Sequence, residues 1–153
     1  MKKPRKEKIL IVDDEEESVK TIERHLRREG FMLDSAGDGK LARNKILEAI
    51  EQNEPYDLII TDLIMPNMGA VKLLRWLKKK CPEVSFIIVS GFGDFDLMHT
   101  LIRPEKDGYA QKPLTPGTMM GLIEDLNSLR RYQSIHSIKK PINSIKIPIS
   151  GVQ

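Results

Sequence analysis

An α/β fold, with a parallel sheet covered by helices on both faces, is predicted by two features of this 153-residue sequence. Short apolar runs with no polar alternation recur along the chain, as in strands buried on both faces. Between them lie longer stretches with apolar residues at helical spacing. A third observation concerns function. The apolar runs end on polar residues, and in open α/β sheets the carboxyl ends of the strands form the crevice where ligands bind.

Composition sets the outer bounds. With 40% hydrophobic and 31% charged residues, the chain suits one globular domain with its own core. No run reaches membrane-spanning length and the basic N-terminus lacks a signal peptide's apolar stretch, so a cytoplasmic protein without membrane insertion is expected. The single cysteine, Cys81, rules out an intramolecular disulfide and fits a reducing compartment. It stands between a basic run and Pro82 and reads as an unremarkable thiol. Charge is segregated: residues 1–8 carry a net +4, residues 9–126 a net −6 and residues 127–153 a net +5. The acidic body suits a cation site. The basic ends read as solvated, which leaves nucleic acid a disfavoured partner.

In chain order, residues 1–7 form a basic extension and Lys8 to Val12 (KILIV) is the first strand, running into Asp13, Asp14 and three glutamates. Glu15 to Glu29 reads as an amphipathic helix with Val19, Ile22 and His25 or Leu26 on its apolar side and Gly30 as its stop. Phe31 to Ala36 is a second strand. Asp38-Gly39-Lys40 opens a helix through Leu41, Ile46, Leu47 and Ile50. Leu58, Ile59 and Ile60 form a third strand that delivers Asp62 before Pro66. Val71 to Lys80 is a helix with Val71, Leu74 and Leu77 inward and Trp76 off that line. Val84 to Val89 (VSFIIV) is the fourth strand, ending at Ser90, and Asp94 to Ile102 can be helical until Pro104 forbids continuation. Asp107 to Gln111 is a short fifth strand ending at Lys112, and Thr115 to Tyr132 is the last helix, with Pro116 in its first turn. Residues 133–153 show no helical period and are expected to be a basic tail, disordered or loosely docked, too short for an output domain.

Taken alone, Asp62 reads as an acid that ends a strand and caps the next element. The carboxylates at the start of the chain change that. If the first and third strands are parallel neighbours, Asp13, Asp14 and Asp62 converge at one edge, where like charges raise each other's pKa unless a cation compensates. Mg²⁺, bound through one or two carboxylates, waters and phosphate oxygens, is the natural compensator. The run from Asp13 to Glu17 also suits a helix N-terminus, and both roles can hold. Four successive strand ends thus carry Asp13 with Asp14, Asp62, Ser90 and Lys112. An acidic cradle, a carboxylate nucleophile, a hydroxyl and an ammonium are the parts that phosphoryl transfer requires.

Over roughly residues 8–128 the chain resembles the receiver domain of two-component response regulators, through the paired acids Asp13 and Asp14, the DLIMPNM motif around Asp62, the SGFGDF segment from Ser90 and the YAQKP segment from Tyr109, and residues 8–132 are expected to form that domain. The resemblance implies a flavodoxin-like (βα)5 sheet in strand order 2-1-3-4-5. It implies that Asp62 is a phosphoacceptor, that Asp14, Asp13 and the Ile64 carbonyl join Asp62 in holding Mg²⁺, that Lys112 pairs with the phosphoryl group, and that Ser90 and Tyr109 are the switch residues. It also implies a cis peptide bond at Lys112–Pro113. The partners it implies are a sensor histidine kinase or phosphotransfer protein, a downstream protein target and a possible homodimer. The domain would be a switch with slow self-dephosphorylation, not a turnover enzyme, and apolar Ile64 and Phe92 at positions that tune dephosphorylation imply a long-lived phosphoryl form.

The chain departs from the family pattern in three places. The second helix and its loop are longer, Gly69-Ala70 replaces an acid or Ser followed by Gly, and Pro104 to Asp107 replaces an alanine- and glycine-rich stretch. The second departure predicts strain at Ala70 if the loop needs a positive φ there. Two other classes stay open: a phosphorylation-independent receiver-fold scaffold, and an aspartyl-phosphate hydrolase of the haloacid dehalogenase type. The latter would want an acid where Ile64 stands.

Overall fold

A computed structural model describes residues 7–139 apart from 66, 92 and 93, so the reading of Phe92 lies outside the described residues. The elements alternate in chain order as β1 (Lys8–Val12), α1 (Glu16–Arg28), β2 (Met32–Ala36), α2 (Gly39–Glu51), β3 (Leu58–Asp62), α3 (Ala70–Lys80), β4 (Ser85–Ser90), α4 (Phe95–Leu101), β5 (Gly108–Gln111) and α5 (Pro116–Lys139). The strands form one parallel sheet in the order β2-β1-β3-β4-β5. This is the flavodoxin-like arrangement expected.

The lack of polar alternation follows from burial on both faces. Side chains alternate across a strand, so Leu10, Val12, Ile59, Phe86 and Ile88 pack with α2, α3 and α4 on one side. Ile9, Ile11, Leu58, Ile60, Ile87 and Val89 pack with α1 and α5 on the other. Register then fixes the site. Val12 pairs with Thr61, Asp62 with Val89, and Ser90 with Gln111, so Asp13, Asp62, Ser90 and Lys112 emerge at one edge.

Helix α1 buries Val19 and Leu26 and ends where Gly30 turns at φ +94°. In α2 the buried stripe is Gly39, Ala42, Ile46 and Ala49, whereas Leu41 and Ile50 are exposed. The larger apolar residues misplace that stripe, because small residues are what let α2 lie close to its neighbours. Asp38 caps the helix, its Oδ1 accepting from the Leu41 N–H at 2.9 Å.

The expected strain at Ala70 does not occur. Gly69 is the N-cap of α3 with φ −75°, and Ala70 is the buried first residue of the helix. The positive φ falls instead on Asn67, at +63°. Asn is among the residues that tolerate it, and its side chain donates to Asp38 Oδ2 at 2.7 Å.

Helix α4 stops at Leu101, and exposed Pro104 lies in a turn closed by an ion pair on the buried Asp107. The Asp107 carboxylate accepts from Phe86 N (3.0 Å) and from Arg103 N, Nε and Nη2 (3.0, 2.6 and 2.9 Å). Arg103 in turn donates to the Pro82 and Val84 carbonyls. At the N-terminus of α5, Thr115 accepts from the Thr118 N–H at 3.2 Å. The helix then continues to Lys139, past the end at Tyr132 expected from the sequence. No Pro or Gly intervenes before Pro141, and a helix reads through a Ser-Ile alternation where nothing forbids it. Gln133 fastens this part to the Glu105 carbonyl at 2.9 Å. The expected tail from residue 140 onward lies outside the described residues. Among those described, no helix is long and apolar enough to cross a membrane.

Candidate functional site

Asp62 is the last residue of β3 and only 8% exposed. Its Oδ2 lies 3.0 Å from Lys112 Nζ, the amine reaching across from the residue after β5. Burial opposes the charge on Lys112, but the hydrogen bond and the negative charge of Asp62, with Asp13 behind it, prevail and raise its pKa. The Lys112 backbone is anchored as well, its N–H donating to the Ser90 carbonyl at 2.7 Å, and the Lys112–Pro113 bond is cis.

Asp13 and Asp14 leave the end of β1 beside this pair. The Asp13 N–H donates to the Ala36 carbonyl at 3.0 Å, and its Oδ1 accepts from the Glu15 N–H at 2.9 Å, so the acid run both borders the site and leads into α1. Asp14 is exposed. One carboxylate oxygen from each of Asp13, Asp14 and Asp62 falls within 4.8 Å of the others. Burial is the main cause that raises the Asp13 pKa, the Glu15 N–H opposes it, and the charges of Asp62 and Asp14 add to the rise. An all-oxygen set whose members repel one another fits a hard divalent cation such as Mg²⁺. A cleft of about 570 Å³ opens beside it, with Asp13, Asp62 and Lys112 in its wall and Ile22, Ile60 and Leu114 lining its apolar part.

The remaining candidates surround this centre. Ser90, 1% exposed, has its hydroxyl 3.2 Å from Met98 Sδ and 3.3 Å from the Gly91 carbonyl. Tyr109 lies on the outer side of β5 with 39% of its surface exposed. Its ring meets Phe95 edge-on at 5.7 Å and His99 at 6.2 Å. Ile64 follows Asp62 by two residues and is 72% exposed. The contacts of Met98, Phe95, His99 and Asn67 had no reading in the sequence. The first three share helical spacing, a pattern visible there but without a partner until the fold brings Ser90 and Tyr109 alongside.

Residues 9–124 match the response regulator receiver domain family. The chain belongs to that family. Over 150 residues, 95% of its length, the receiver is 29% identical to the response regulator ArlR of Staphylococcus epidermidis. It is 27% identical to the transcriptional regulatory protein ResD of Bacillus subtilis over 92% of its length. It spans 65% of ArlR and 56% of ResD, less than two thirds of either. A response regulator receiver domain protein from Clostridium thermocellum superposes with a TM-score of 0.69 at 27% identity, covering 84% of this receiver and 98% of that chain. Receivers are phosphoacceptor switches of two-component systems, working with sensor kinases and output domains.

Proposed function

We propose that Asp62 is the phosphoacceptor, that a sensor histidine kinase or phosphotransfer protein of the cytoplasm is its donor, and that the phosphorylated receiver controls a downstream protein. The buried Asp62 carboxylate with Lys112 on one oxygen carries this reading. A carboxylate oxygen of Asp62 attacks the phosphorus of a phosphohistidine. The O–P bond forms as the P–N bond breaks, and the electron pair leaves with the imidazole nitrogen of the donor, which then takes up a proton. Lys112, its proton held by the surrounding acids, pairs with the charge on the transferred oxygens, where fixed cations lower the barrier most. Asp13, Asp14, Asp62 and the carbonyl of Ile64 would hold Mg²⁺, which when bound neutralises charge on the phosphoryl oxygens. Ser90 would then turn to a phosphoryl oxygen while Tyr109 turns inward, biasing a two-state element.

Intact mass after incubation with acetyl phosphate is the direct test. One adduct that requires Mg²⁺ and is lost in Asp62→Asn is expected. No adduct under any condition would favour a scaffold that signals through protein contacts alone. Exposed, apolar Ile64 offers no group to orient a hydrolytic water, so the adduct should outlast seconds.

A further inference from the structure

Phe95, Met98 and His99 stand at positions i, i+3 and i+4 of α4, which places them on one side of the helix. Met98, 4% exposed, brings its thioether to the Ser90 hydroxyl at 3.2 Å. Phe95 and His99 pack edge-on at 4.3 Å, and each ring meets Tyr109. One short helix therefore touches both residues assigned to the switch.

We propose that α4 is a latch, in which Met98 holds the Ser90 hydroxyl and Phe95 with His99 braces the Tyr109 ring, so that these three positioning residues set how readily the receiver accepts a phosphoryl group. The proposal rests on the reading of Asp62 as phosphoacceptor. Ser90 has one hydroxyl hydrogen, given either to the Met98 sulfur or to the Gly91 carbonyl, and it cannot serve a phosphoryl oxygen until it leaves them. A thioether is a weak acceptor, so the hold is releasable. The aromatic contacts lie in the edge-to-face range and would be lost if Tyr109 turned inward.

The anchoring of the helix agrees with this. Its C-terminal end is fixed by Lys78 Nζ on the Leu101 carbonyl at 3.0 Å and by the Arg103–Asp107 corner just beyond. At its start, the Asp94 side chain makes no capping bond. A helix of seven residues is too short to be stable by itself. Phe95, the first residue of the helix, thus meets Tyr109 at the less secured end, while Met98 stands at mid-helix and His99 in the last turn.

The test is the initial rate of phosphorylation by acetyl phosphate with Mg²⁺, read by intact mass. Met98→Leu keeps the volume and removes the acceptor, and Ser90 retains the Gly91 carbonyl, so the thermal midpoint should hold. A rise of about fivefold is expected, equivalent to about 1 kcal/mol at 1.4 kcal/mol per tenfold. The rise should vanish in a Ser90→Ala background, and the corresponding rise for Phe95→Ala should vanish with Tyr109→Ala. Unchanged or slower rates in both variants, or accelerations that persist in those backgrounds, would overturn the latch. A wild type that takes no phosphoryl group at all would instead overturn the assignment of Asp62 beneath it.

Discussion

Asp38 shows what one carboxylate can organise away from the reacting atoms. It caps α2 through the Leu41 N–H and holds Asn67 in the loop that follows Asp62. Those two donors, the Leu41 N–H first, keep its pKa below the usual value of 3.8. A carboxylate depressed in the folded state contributes stability that is full above the unfolded value near pH 4 and is lost as pH falls through the lower folded value. The gap in urea midpoint between wild type and Asp38→Asn should accordingly be widest near neutrality and close toward pH 3; a gap independent of pH would contradict this. The residues legible from sequence, Asp13, Asp14, Asp62, Ser90 and Lys112, share one property: each stands at or within two residues of the carboxyl end of a strand-forming run, so local pattern locates them. Asn67 and Met98 were not legible because their roles depend on Asp38 and Ser90, which reach them only through the fold. Cys81 is buried, and that burial pushes its thiol pKa up, which disfavours the thiolate.

At the level of elements, two glycines near the loop after β3 behave oppositely. The Gly39 N–H donates to the Met68 carbonyl at 3.0 Å, and a Cβ on Gly39 would sit 2.3 Å from that oxygen. Gly69 has open space around it and an ordinary φ. Gly39→Ala should therefore cost about 1–3 kcal/mol, the range for forced overpacking. Gly69→Ser should be neutral or stabilise by a few tenths of a kcal/mol as a better N-cap. Urea denaturation of both variants decides it, and equal effects would refute the difference in packing. Element order and type were readable because strand burial and helix spacing are local. The α2 stripe was not, since Ala42 and Ala49 bury less surface than Leu41 yet fit the gap that the sheet leaves. The last turns of α5 were missed for a different reason: the Ser-Ile alternation carries no helical period, and Gln133 meets the Glu105 carbonyl only in the fold.

For the molecule as a whole, the sheet is a shared wall between two separate apolar clusters. Ile59 faces one and Ile60 the other, both essentially inaccessible. Ile59→Ala and Ile60→Ala should each cost about 2–5 kcal/mol. Both should shift one common transition, because β3 belongs to both clusters. Trp76 packs only against the first cluster, so its fluorescence is the discriminating probe. A Trp76 midpoint that stays fixed in Ile60→Ala while circular dichroism moves would show that the two halves melt independently. Helix α5 crosses the whole height of this wall. It starts near Lys112 and, where Arg130 grips the Asp57 carbonyl (3.2 Å) and Glu7 (3.3 Å), has reached the amino ends of β1 and β3. With 24 residues it is about 36 Å long at 1.5 Å per residue. Pinned at Arg130, such a rod has its longer arm, 14 residues or about 21 Å, toward Lys112 and its shorter arm toward Lys139, so on the reading of Asp62 as phosphoacceptor an ångström-scale displacement at one pole would be delivered as motion at the opposite one.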